Sequence, residues 1–342
     1  MSASGYVWLE EVHWGLLTAI YLFFATLGGG AYLAGLVAYA LGRDDRQSEP
    51  MALARWAFLT ALVATGIAGL AILAHLARPL SGLLFPVTLT EFGSWITRGT
   101  WILVALGALA GLQTLWFHFG SFGRGAEGGS ALLRRLAAIV GVEGLLDSVA
   151  DAIRPGETGF WIVGVLGLLP ALGTVYTGFE LAVVETVPLW NHPTLLPALF
   201  VTSGVASGIA LSLALTIAFD GATDRLVVGF AGAVSLGLLL TGGLLWTLLN
   251  SLGDGPAATE SMAMLDGGSL SIFVTLLAAG IVVSIVASPI LAWVWCAREE
   301  TTMTKWVVRP GLVGSLLFGV LATFLIRYVL LFAAVHSPNV VF

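Results

Sequence analysis

Tyr176 and Glu180, in YTGFELAVVE, place a phenol and a carboxylate four residues apart inside an apolar run, on one face of the helix expected there. An ionisable side chain within a membrane span costs about 2.5–3.5 kcal/mol even on permissive scales, and marks a functional site by default. Arg327 poses the same question near the end of another apolar run, where a guanidinium snorkels to the interface, pairs with a carboxylate or serves a site. In HLARP, His75 and Arg78 stand one turn apart and Pro79 stops the helix. Two such donors at a membrane edge suit a quinone carbonyl, while an arginine alone there also anchors to lipid headgroups. His13 follows Glu10 and Glu11 at the head of the first apolar run, and Glu185 follows Glu180 after one more turn.

The elements that must position these groups are membrane helices. Of the 342 residues 58% are hydrophobic and 10% charged, against about 25% charged in a soluble domain, so most of the chain faces lipid or other buried helices. A single cysteine, Cys296, excludes an internal disulfide. It also excludes a thiolate-ligated iron–sulfur cluster, which takes about four cysteines. The first residues carry no basic stretch and no cleavage pattern, and the first span reads as retained. Hydropathy over ~19 residues predicts an all-α integral membrane protein with eight spans: Trp14–Leu41, Trp56–Leu76, Thr100–Phe119, Phe160–Val183, Leu195–Phe219, Leu226–Leu249, Leu270–Ala297 and Val307–Val335. A further segment, Ala131–Ala152, carries Arg134, Arg135, Glu143, Asp147 and Asp151. It reads as an amphipathic helix on the membrane surface, with a partner-docking loop as the functional alternative.

Eleven of the fourteen basic residues fall after odd-numbered spans: Arg43, Arg46, Arg55, Arg124, Arg134, Arg135, Arg154, Arg225, Arg298, Lys305 and Arg309. The positive-inside rule then puts both termini outside the cytoplasm. In that topology His13, His75, His192 and His336 gather at the outer end with Arg78, Glu91, Arg98, Glu180 and Glu185, and His118 alone lies on the cytoplasmic side. Any one of these groups reads as interfacial decoration; together they read as a site. A membrane haem needs two imidazoles from neighbouring helices at matching depth, and the histidines do not offer that pairing.

The first span carries the small run Gly28, Gly29, Gly30, Ala34 and Gly35, and the fifth carries Ser203, Gly204, Ala206, Ser207 and Gly208 at a similar depth. Small residues at mid-span let helix backbones approach closely. Each run opens a set of four helices. The organisation expected is therefore two four-helix bundles, residues 1–184 with a cytoplasmic amphipathic loop over 121–158, and residues 185–342. Tryptophans near span ends, among them Trp14, Trp56, Trp116, Trp190 and Trp306, read as interface anchors.

Several motifs together resemble the polysulfide reductase membrane-subunit family, also called the NrfD family. They are YLFFATLGGGAYLAG, HLARPLSGLLF, FGSWITRGTWIL and, above all, YTGFELAVVETVPLWNHPTLLPALFVTSGVASGIAL. The resemblance covers roughly Trp14 to Leu215. It implies an eight-helix subunit of the plasma (inner) membrane, multi-pass, without haem or metal of its own. It also implies binding of menaquinone or another quinone near the outer face, and a four-cluster iron–sulfur partner feeding a molybdopterin catalytic subunit; no nucleic acid is involved. On this reading His13, His75 and Tyr176 contact the quinone head, Arg78 holds negative charge on its oxygens, and Glu180 and Glu185 carry protons away. His75 stands where the family leads one to expect aspartate, and an imidazole with an unperturbed pKa of ~6.5 can also accept a proton. Two other classes remain open: a structural anchor whose outer polar groups only dock soluble subunits, and a proton-coupled transporter, since repeats and intramembrane charges mark those proteins too.

Overall fold

The computed structural model describes residues 14–42, 48–76, 79–82, 84–88, 90–123, 129–222, 225–297 and 301–336. Among them there are no strands, and eight helical segments are long and apolar enough to cross a membrane: Leu16–Gly42, Glu49–His75, Trp95–His118, Glu157–Ala182, Leu195–Asp220, Arg225–Asn250, Ser271–Ala297 and Trp306–Phe332. Each overlaps its predicted counterpart. The second begins seven residues before the apolar run, at Glu49, because a helix start with Pro50 in its first turn needs no hydrophobicity to form. In hydrocarbon the backbone has no other partner than itself, so even a glycine-rich run stays helical.

The first, fifth and eighth spans are central, with 72%, 67% and 61% of their apolar windows buried inside the protein, against 28% for the seventh. Each of the first four spans packs on the next, and the fourth returns to the first. The fifth to eighth repeat the pattern, and the first span joins the two sets by packing on the fifth and eighth.

The three consecutive glycines explain how one helix serves so many neighbours. Successive residues point about 100° apart, and each glycine faces a different span. A Cβ built on Gly28 would lie 2.9 Å from the Thr65 hydroxyl of the second span, and one on Gly29 would lie 2.5 Å from the Ala171 carbonyl of the fourth. At Gly30 the obstacle is the Gly204 carbonyl and the Val205 backbone of the fifth. The two small-residue runs noted in the sequence thus press on each other, with Gly208 against Gly30 and Ala31.

Two elements differ from expectation. The fourth span is not one helix but two, Glu157–Gly173 and Tyr176–Ala182. The first of these runs through Pro170 to Gly173, and the chain tightens just beyond it: Val175 N–H donates to Leu172 O and Thr177 N–H to Thr174 O, at 3.2 and 3.3 Å. The seventh span, by contrast, runs unbroken through Pro289. The amphipathic segment is likewise a pair, Gly129–Val140 and Glu143–Ile153, hinged at Gly141 with φ +80°. Arg134 bridges the two arms, with both guanidinium nitrogens on Asp147 at 2.8 Å and one on Glu143 at 2.8 Å. Asp147 also accepts the Gly120 N–H and Asp151 the Ser121 N–H, which ties the hairpin to the end of the third span.

Several tryptophans expected at the interface are buried instead. Trp190 donates to Leu330 O, and Trp56 to Asp220 Oδ2, while Trp116 is enclosed; Trp306 does face outward.

Candidate functional site

Spans alternate in direction, so the start of the first and third and the end of the second and fourth lie at one end of the protein. Tyr21 stands one turn into the first span, Tyr176 and Glu180 on the short helix that ends the fourth. The Tyr21 hydroxyl lies 2.6 Å from that of Tyr176, and it donates to Glu180 Oε2 at 2.9 Å. A phenol has one proton. With Tyr21's given to Glu180, the proton between the phenols is donated by Tyr176, and the chain runs Tyr176 to Tyr21 to Glu180.

The break in the fourth span makes this geometry possible, because the short helix Tyr176–Ala182 starts anew against both neighbours. Gly99 of the third span leaves no Cβ where the Tyr176 ring lies, and Gly178 lets the short helix press on Leu196 and Pro197. Both tyrosines are buried; Glu180 is half-buried. Beside them Trp95 and Phe179 stack with ring centroids 5.0 Å apart, and the Arg98 guanidinium lies 4.6 Å from the Trp95 ring.

Of the residues singled out from the sequence, the structure joins Tyr176 and Glu180 and adds Tyr21. His75 is exposed at the end of the second span and Glu185 is exposed beyond the fourth; neither hydrogen-bonds to the cluster among the described residues. His13 and Arg78 lie outside the described residues. His336 contacts the Thr186 hydroxyl at 3.0 Å. His118, at the opposite end, is buried between Ser130 Oγ and the Arg55 carbonyl, a packing role.

Arg327 neither snorkels nor meets a carboxylate among the described residues. It is fully buried where the first, fifth and eighth spans meet, donating to Ser203 Oγ at 2.6 Å, Thr26 Oγ1 at 2.9 Å, Phe200 O at 3.0 Å and Thr323 O at 3.1 Å. Its guanidinium carbon lies 4.5 Å from the Phe200 ring centroid, and its Nε has no partner. Hydroxyls, carbonyls and a π face replace the missing counter-ion.

Sequence reasoning missed Tyr21. A signal was present, since Tyr21 opens the YLFFATLGGG run and is, with Thr18, one of two hydroxyl-bearing residues in the first six of an otherwise apolar helix start. Among the described residues no three His, Cys, Asp or Glu side chains gather as a metal site.

Compared with known families, the chain matches the model described as polysulphide reductase, NrfD, over residues 9–339. No match was found among curated proteins.

Proposed function

Because this chain belongs to the NrfD (polysulphide reductase) family, we propose that it is the quinone-binding membrane subunit of a respiratory molybdopterin oxidoreductase. It exchanges electrons between menaquinol, or another membrane quinol, and an iron–sulfur partner subunit docked on the outer face. The spans form two four-helix bundles, 1–184 and 185–342, in the plasma membrane with both termini extracytoplasmic, as the distribution of basic residues supports.

The observation that carries this reading is the hydrogen-bonded chain from Tyr176 through Tyr21 to Glu180, in an otherwise apolar setting near the membrane edge. The donor set fits a quinone head. Among the described residues Tyr176 engages only Tyr21 and Glu180 uses one oxygen, so both keep acceptor capacity. When bound, a quinol supplies two electrons and, from its hydroxyls, two protons. The two protons leave one at a time: as Tyr176 takes a proton from the ligand it gives its own to Tyr21, Tyr21 gives its own to the Glu180 carboxylate, and the path is ready for the second once Glu180 has released the first. Half-buried Glu180 returns that proton to water past exposed Glu185. The stacked Trp95 and Phe179 rings shield the cluster on one side. His13, His75 and Arg78 belong to the same end by topology and supply further contacts to the head group.

Glu180→Gln tests this reading. It keeps the shape and an acceptor for Tyr21 but removes the proton sink, so quinol-dependent reduction of the partner should fall while the complex still assembles. Unchanged turnover removes Glu180 from the mechanism. Quinone titration against the isolated chain separates this function from that of a structural anchor.

A further inference from the structure

Three stripes of residues run along the seam of the first, third and fourth spans, and they meet in the half that lies away from Glu180. On the first span Tyr21, Tyr32 and Tyr39 are spaced eleven and seven residues apart, close to three and two whole turns, so all share one face. Each meets the fourth span. Tyr32 reaches the carbonyls of Val163 and Gly164, both at a long 3.4 Å, and Tyr39 packs on Phe160 with centroids 4.4 Å apart. From the third span come Gln113 and, one turn on, Trp116. A Cβ built on Gly164 would lie 3.6 Å from Gln113 Nε2, so glutamine and Tyr32 meet at the same glycine. One turn further, Tyr39, Trp116 and Phe160 line a cavity of about 340 Å³ whose wall also holds Met51, Arg154 and Glu157.

The polar groups above this cavity have unmet needs. Gln113 is wholly buried beside the Tyr32 hydroxyl, and among the described residues neither its amide oxygen nor its nitrogen makes a hydrogen bond of good geometry; the buried Trp116 indole N–H makes none either. Among the described residues Thr60 Oγ1, Thr114 Oγ1 and Arg327 Nε also lack partners, but they lie apart from this cavity's wall, and other buried groups in the spans are satisfied. Trp190 and Trp295, also buried, donate to the Leu330 and Ala222 carbonyls at 2.7 Å, and Thr65 and Thr216 turn back on their own helices. A buried polar group left unfilled costs about 1–3 kcal/mol, and hydrocarbon offers neither donor nor acceptor. The cavity has space for roughly ten waters at about 30 Å³ each.

We infer that this half of the protein contains a blind water inlet, entering through the cavity beside Arg154 and Glu157 and ending at Gln113 and the Tyr32 hydroxyl. Its ligand is water with the protons water carries, and it gives two polar groups buried among the spans contact with the solution on one side only. The end is set by backbone contact. Beyond Tyr32, Gly29 presses on Ala171 and Thr174 so closely that a Cβ would lie 2.5 Å from both the Ala171 carbonyl and the Thr174 hydroxyl. The void next to that contact measures about 10 Å³, space for one water at most. The inlet therefore stops short of the Tyr21, Tyr176 and Glu180 cluster. This inference does not depend on what that cluster binds.

Radiolytic hydroxyl-radical labelling of the unmodified protein in nanodiscs tests it, because radicals generated from local water modify the side chains that water touches. Trp116, Trp190 and Trp295 are all buried to 4% exposure or less and form an internal comparison. Trp116 should be modified several-fold faster than the other two; equal protection of all three would overturn the inlet. Sidedness is read separately with Gln113→Cys in a Cys296→Ser background. A membrane-impermeant thiol reagent should react from the Arg154 face and not from the other. Reaction from both faces, or from neither in a folded variant, overturns the blind geometry, and the tryptophan comparison stands if the variant does not fold.

Discussion

The Tyr21 and Tyr176 hydroxyls, 155 residues apart in the chain, lie 2.6 Å from one another, and the same Tyr21 oxygen reaches Glu180. One phenol on the first span thus joins two polar groups of the fourth into a single path.

Tyr21→Phe keeps the ring and its packing but interrupts that path. Removing a general acid–base partner costs rate by about a hundredfold or more, so quinol-driven reduction of the partner's clusters should fall by that order. Stability should fall by about 1–3 kcal/mol, since Tyr176 is left unpaired. Stopped-flow reduction and a melting curve on the same variant measure both. Wild-type turnover in a correctly assembled Tyr21→Phe complex would show that the contact is only structural.

Arg327→Met carries an opposite expectation for stability. Every acceptor of the guanidinium keeps a second bond or needs none: Thr26 Oγ1 also turns back on Leu22 O and Phe23 O, and Ser203 Oγ on Leu199 O. Arg327 meets no carboxylate among the described residues, and replacing buried ionic groups by apolar chains of similar size is often neutral or stabilising. The melting temperature should stay level or rise, whereas Arg327→Ala, which leaves a void, should lower it by about 2–5 kcal/mol equivalent. A sharp loss for Arg327→Met would mean the cation itself holds the three spans together.

Alanine at the three glycines should rank by what it meets. At Gly30 the obstacle is the backbone of the fifth span, which cannot yield without separating the helices; at Gly28 the nearest atom is the Thr65 hydroxyl, which can rotate, with Ala61 O 3.3 Å away. Overpacking costs about 1–3 kcal/mol, and Gly30→Ala should lie at or above that range with Gly28→Ala below it. Thermal unfolding in detergent gives the order directly, and equal losses would show that the two contacts are equally rigid.

Asp147→Ala should loosen the hairpin of residues 129–153 and little else. The carboxylate holds both Arg134 nitrogens and the Gly120 N–H, charge-assisted bonds each contributing about 1.5–3 kcal/mol. Hydrogen exchange should quicken across the hairpin while the third span keeps its protection. Uniform exchange throughout the chain would point to a global loss instead.

The amino-acid sequence alone determined that the chain crosses a membrane eight times, since hydropathy is a local property and lipid leaves the backbone no choice but helix. It also marked Tyr176 and Glu180 as a pair, because four residues make one turn whatever surrounds them. The break in the fourth span was not legible, for it falls at Thr174 and Val175, beyond Pro170, which lies inside its helix as Pro289 does in the seventh. Only the tertiary structure decided which helix each of Gly28, Gly29 and Gly30 touches, that Tyr21 completes the Tyr176 and Glu180 pair, and that Arg327 rests on hydroxyls and carbonyls of three spans. Those contacts depend on the rotation of whole helices about their axes, a property that packing sets and that no local pattern encodes.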